Sequence, residues 1–140
     1  MKIDCMDIIK SENPITQHGI NLNNKENRTQ VMRVLRFFRV FMHVSAQTIA
    51  DNSEDHLTRS LIAAVEAGTR NPSTHFIKQY ADSLQGIVKL KQNLILISYK
   101  CINDSELMDY IDEYERGIGR FVIPYKISKR IMELTNVENA

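Results

Sequence analysis

The residues able to do chemistry fall into three groups. His18, His43, His56 and His75 with Cys5 and Cys101 are the soft metal-binding candidates. They share no zinc-type spacing and read as ordinary surface or half-buried side chains, so no metal is expected. Asp104, Glu106, Asp109, Asp112, Glu113 and Glu115 form an acidic run. Paired carboxylates can serve general acid–base catalysis, but these have no partner base and read as a solvated helix face. No glycine-rich phosphate loop and no Ser/His/Asp spacing stands out, so the sequence points away from an enzyme and calls for no cofactor. The third group is basic: Arg28, Arg33, Arg36 and Arg39, with no acidic residue among them. Arginine suits phosphate and guanine recognition. At helical spacing Arg33, Arg36 and His43 share one strip, which is open to two readings, a phosphate contact or a wet face.

The bulk properties bound what those residues can belong to. A chain of 140 residues suffices for one domain with a core, or for a small module with an appendage. Its 43% hydrophobic and 25% charged composition is that of an ordinary globular protein. The net charge is +1, and the segment from Gly86 to Ala140 balances eight basic against eight acidic residues. Nucleic-acid binding is therefore supported by motif more than by charge. The longest apolar cluster, Leu94 to Ile97, falls far short of the roughly 18 residues that span a bilayer. No signal-type run opens the chain, and two cysteines do not make a disulfide framework. A cytoplasmic protein with reduced thiols and no membrane partner is expected.

Helical periodicity dominates. Residues 1–27, with Pro14, Gly19 and four asparagines between Asn21 and Asn27, read as a flexible arm. From Arg28 to Val44 the pattern is helical, with Val31, Leu35, Phe38 and Met42 on one stripe and Val34 and Phe41 beside it. Phe37, Val40 and Val44 widen that stripe, so this helix needs a second cover, from the C-terminal segment or from a partner subunit. Ser45 suits the N-cap of a helix from Ala46 to about Asp51, and Thr58 that of a helix from Arg59 to Ala67. Ser73 or Thr74 starts a fourth helix, with Phe76, Ile77, Tyr80 and Leu84 inward. Ile87, Leu90, Leu94, Ile97 and Cys101 then alternate steps of three and four as a seam. Leu107, Ile111, Tyr114 and Ile118 form a further stripe, capped by Asp104 or Ser105 and broken at Gly117 and Gly119. Ile127, Ile131 and Leu134 come after Pro124. The fold class is all-α.

The run Val65-Glu66-Ala67-Gly68-Thr69-Arg70-Asn71-Pro72-Ser73 resembles the end of the recognition helix in the Cro/CI (XRE) family of helix-turn-helix transcriptional regulators. That family places an apolar residue, Glu, any residue and Gly before a short basic turn, Pro and Ser. A helix with Thr, an apolar position, Tyr-Ala and Leu comes next. Here it is similar in Thr74, Ile77 or Lys78, Tyr80, Ala81 and Leu84. Ser45, Gln47, Ile49 and Ala50 resemble the family's upstream half, and the likeness covers residues 31–84. It implies a lambda-repressor-like helix-turn-helix bundle over 28–85, carrying additional C-terminal helices over 86–140. Gly68 permits the left-handed residue that stops the recognition helix, and Pro72 cannot continue it. Ala50, Ala63 and Ala64 are small enough for two helices to cross closely.

The partner so implied is double-stranded DNA. Thr58, Arg59, Ser60, Ile62 and Ala63 are the groove-facing candidates, and Arg59 alone among them can bind a guanine edge with two hydrogen bonds. The resemblance assigns Gln47 to a phosphate or neighbouring base, and Arg70 and Asn71 to the backbone. Readers of this type commonly bind two half-sites, so a homodimer is expected. Residues 86–140, with Tyr110, Tyr114, Phe121 and Tyr125 as aromatic anchors, are the dimerisation candidate. The connection from Asp51 to Leu57 is about two residues longer than the family's and carries Asp51, Glu54 and Asp55, with His56 where glycine is usual. That departure motivates a second expectation: a degenerate helix-turn-helix that engages a protein partner, as an adapter or antitoxin-like regulator.

Overall fold

Seven α-helices and no strand occur among the residues that the computed structural model describes, 22–54, 57–117 and 124–135. The expected N-terminal arm falls mostly outside them, as do Asp55, His56, Gly119 and Phe121. The chain is all-α, as its periodicity predicts. Among the described residues no helix is long and apolar enough to cross a membrane.

Helix α1, Lys25–Phe41, begins three residues before the expected start at Arg28. The cause is local: Asn24 Oδ1 accepts from the backbone N–H groups of Glu26 and Asn27 at 2.8 and 3.1 Å. An asparagine cap and a glutamate in the first turn together outweigh an asparagine-rich composition that reads as loop. At the other end His43 sits at φ 59°, which turns the chain before Val44. Val31, Val34, Leu35, Phe37 and Phe38 are all buried.

The next three helices begin at the caps the sequence marks. They are α2, Ala46–Asp51; α3, Arg59–Glu66; and α4, Thr74–Val88. Ser45 Oγ accepts from Thr48 N, Thr58 Oγ1 from Leu61 N, and Ser73 Oγ from Phe76 N, each satisfying an orphan first-turn donor. Ser83 Oγ donates to Ile49 O at 2.8 Å, fastening α4 to α2 inside the core.

The C-terminal half contributes α5, Leu94–Ile102; α6, Ser105–Glu115; and α7, Tyr125–Thr135. The seam from Ile87 to Cys101 is not one helix. Lys89 closes α4 in the left-handed region, and Asn93 Oδ1 then caps α5 by accepting from Ile95 and Leu96. Buried Gln85 bridges the break, its Oε1 accepting from Leu94 N. Leu94, Ile97 and Cys101 still face the core, where α5 packs along α1. The apolar first helix thus finds its second cover within its own chain. Tyr110 and Tyr114 set their rings edge-on to Phe37, so these two expected dimer anchors pack inward instead. Burial, with Asp104 nearby, pushes the Cys101 thiol up to about 12, which keeps it protonated at neutral pH.

Candidate nucleic-acid interface

Helix α3 turns two unlike faces outward and inward. Arg59, Ser60, Ala63 and Ala67 are exposed, and at 3.6 residues per turn they fall within an arc of roughly 100°. Thr58 is exposed beside them, although its hydroxyl is committed to capping. Ile62 and Val65 point into the core, and Ile62 has no exposed surface at all. The expectation that Ile62 faces the groove is therefore corrected: its phase on the helix matches Val65, and it serves as packing. Ala63 is likewise exposed, so close helix crossing rests on buried Ala50 and half-buried Ala64 rather than on it.

The connection into α3 is built from Ser53 and Leu57. Ser53 Oγ donates to Ala50 O and accepts from Leu57 N, both at 2.9 Å, while Leu57 is buried. Leu57-Thr58 thus provides an apolar plug and then a cap. Gln47 is exposed at the start of α2, and its Nε2 donates to Asp51 Oδ1 at 2.8 Å. One amide N–H is thus held by its own helix, while the second N–H and Oε1 stay available.

What holds α3 in place is a charged cluster the sequence does not single out. Arg39 of α1 donates to both carboxylate oxygens of Glu66, Nε to Oε2 at 2.9 Å and Nη2 to Oε1 at 2.7 Å. Tyr80 of α4 donates its hydroxyl to Glu66 Oε2 at 2.6 Å and accepts from Arg39 Nε at 3.1 Å. Arg39 Nη1 also donates to Val44 O. Three helices therefore meet on one carboxylate, and Arg39 ties the chain leaving α1 to it. Burial opposes the charge of Arg39, but the bonds and charges of Glu66 and Tyr80 outweigh it and leave its pKa raised. Burial first, and then Glu66, push the Tyr80 hydroxyl far above its ordinary value. With both shifts upward, Arg39 stays charged and the Tyr80 hydroxyl stays protonated through the physiological range, which suits a brace. Its sequence signal was Glu66 lying next in phase to Ile62 and Val65, a carboxylate at the edge of a core stripe that must find a cation.

After α3 the chain turns at Gly68, whose φ is +81°. Its N–H donates to Val65 O, and Thr69 N donates to Ala64 O, closing the helix end. The helix stops at Glu66 with Ala67 as the capping residue, one position earlier than expected. A Cβ at Gly68 would meet nothing within 4 Å. Gly68→Ala should consequently cost only the left-handed backbone term, about 1 kcal/mol in urea unfolding. A loss several times larger would show that the turn is packed more tightly. Arg28 anchors the far end of this turn, donating Nε to Pro72 O and Nη1 to Leu22 O. Arg70 and Asn71 stand exposed on the turn itself.

The arginine run divides its work. Arg33 pairs with Asp112 and Glu115 of α6 and donates to Gln30 Oε1 at 2.7 Å. The bond to Glu115 does most to raise its pKa, with burial opposing and Asp112 adding. Arg33 is thus neither a free phosphate contact nor a wet face but the link between α1 and α6. His43 is exposed, and Arg36 lies 3.6 Å from Glu66 Oε1. Among the described residues no three of His, Cys, Asp and Glu come together as a metal site. In comparisons with protein-family models, curated proteins and solved structures, nothing matches the chain.

Proposed function

We propose that this chain is a sequence-specific DNA-binding transcriptional regulator of Cro/CI type, with α2 and α3 as its helix-turn-helix and α3 as the recognition helix. One observation carries the reading. Helix α3 presents a narrow outward face of short side chains led by Arg59, while Glu66 ties its inner side to two other helices. Such a face can approach base edges closely, and a braced helix keeps its register when it does. Arg59 reads a base, Ser60 and Ala63 line the contact, and Arg70 and Asn71 meet the backbone. Gln47 joins them through the part of its amide that Asp51 leaves available. Repression by occlusion is the usual mode of the family that the sequence resembles, and it is favoured here over activation.

The regulator acts as a homodimer on two half-sites. Among the described residues, Tyr125 and Met132 of α7, 80% and 60% exposed, are the large apolar side chains proposed for pairing. A second reading, a protein-interaction adapter or antitoxin-like regulator, draws on one observation: Asp51 and Glu54 are exposed near the start of α3, and Asp51 holds Gln47.

Two substitutions separate base reading from backbone contact. Arg59→Ala should cost about 1–3 kcal/mol on the specific site and relax preference at one base pair. Arg70→Ala should weaken binding to all sequences alike and flatten the dependence on salt. Titrations of each variant against single-base-pair substitutions of the bound site check both. Equal loss on every sequence for Arg59→Ala would remove its assigned role.

A further inference from the structure

Between α1, the end of α3, the turn from Gly68 to Pro72 and Glu115 of α6 lies a cleft of about 150 Å³. Arg33, Arg36 and Arg70 line it, against two carboxylates, Glu66 and Glu115. Both carboxylates are already committed. Glu66 is held by Arg39 and Tyr80, and Glu115 by Arg33. Two guanidinium groups, Arg36 and Arg70, make no hydrogen bond to either carboxylate, although Arg36 is ion-paired with Glu66. Arg36 Nε is shut off from water and makes no hydrogen bond, the nearest acidic oxygen being Glu66 Oε1 at 3.6 Å. Arg70 is exposed at the rim and joins no ion pair among the described residues.

The Arg36 side chain is 35% exposed, so its terminal guanidinium nitrogens, rather than Nε, are what an oxyanion in the cleft can reach. Planar guanidinium forks match phosphate oxygens, and two of them lining one cleft can hold such a group. A volume of about 150 Å³ is that of an engineered cavity able to hold benzene, so a phosphate carrying a few further atoms fits.

We propose that this cleft is a phosphate-binding site, with Arg36 at its base and Arg70 as the arm that closes on the ligand. It is distinct from the base-reading face of α3, but it shares Arg70 with the backbone contact proposed above. It also has a route to regulation, because the turn carrying Arg70 forms one wall and the C-terminal half, through Glu115, forms another. The phosphate comes from a small free compound or from a nucleic-acid backbone.

The test is an NMR titration of the full chain with inorganic phosphate, against chloride at matched ionic strength. Saturable shifts confined to Arg36, Gly68, Arg70 and Asn71 are expected. Arg36→Gln should weaken binding about tenfold. Arg70→Gln, at an exposed position, should weaken it too and serves if the Arg36 variant does not fold. Arg59→Ala should leave it unchanged. Shifts that chloride reproduces, or that scatter over every basic residue without saturating, overturn the site. Adding duplex DNA to the phosphate-loaded protein separates the sources: displacement assigns the cleft to the backbone, and simultaneous binding assigns it to a free phosphate compound. If phosphate binds and no duplex does, the site stands and the DNA reading falls.

Discussion

Glu66→Ala should destabilise the protein by about 3–5 kcal/mol, a large share of the 5–15 kcal/mol typical of a domain. The side chain is 9% exposed and its partner Arg39 13%. Removing the carboxylate leaves that guanidinium out of water with only Val44 O and the Tyr80 hydroxyl near it, and leaves the Tyr80 hydroxyl without its acceptor. The cost comes from the orphaned charge rather than from a high intrinsic value of the pair. The same physics supplies a control. Arg39→Met combined with Glu66→Leu removes both charges, so the double variant should be more stable than Glu66→Ala alone. Urea unfolding checks this, with the midpoint falling and the slope retained. A loss below about 1 kcal/mol for Glu66→Ala would mean that the cluster is effectively solvated.

Phe37→Ala should cost a similar amount, about 3–5 kcal/mol. Phe37 is 2% exposed on α1 and stacks on Phe41 at 6.0 Å, with Tyr110 and Tyr114 edge-on at 6.0 and 5.8 Å. Truncation leaves a cavity that rigid neighbouring rings cannot collapse to fill. Because the two tyrosine rings come from α6, the variant should loosen the C-terminal half and the reader together. Tyrosine fluorescence and far-ultraviolet circular dichroism should therefore report one shared transition at a lower midpoint. Two separated transitions, with the reader half unaffected, would show that the C-terminal helices form an independent unit.

These two sites also show what a sequence conveys. The caps at Ser45, Thr58, Ser73 and Asp104, and the stop at Gly68, were legible because each depends on residues within three or four positions. The exposed face of α3 was legible except at Ile62, where nearness to the first turn suggested a groove contact and helical phase decided otherwise. The brace was not legible. Arg39 and Glu66 are 27 positions apart, and four arginines on one helix look alike until their partners are placed. Arg28, Arg33 and Arg39 all turn out to bond within the fold, which removes the basic run as a ready phosphate strip. Asn93 interrupted an apolar seam because a side-chain cap acts locally, whatever the period around it prefers.

The central claim, that the outward face of α3 reads DNA, meets its most direct test in binding of the full chain to the gene's own upstream region across a salt series. A regulator of the proposed kind selects one fragment over unrelated DNA, and its affinity falls steeply and linearly on logarithmic axes as salt rises. If no fragment is preferred and no such slope is found, while a protein partner co-purifies with the chain, Arg59 and its neighbours do not read DNA and the adapter reading takes its place.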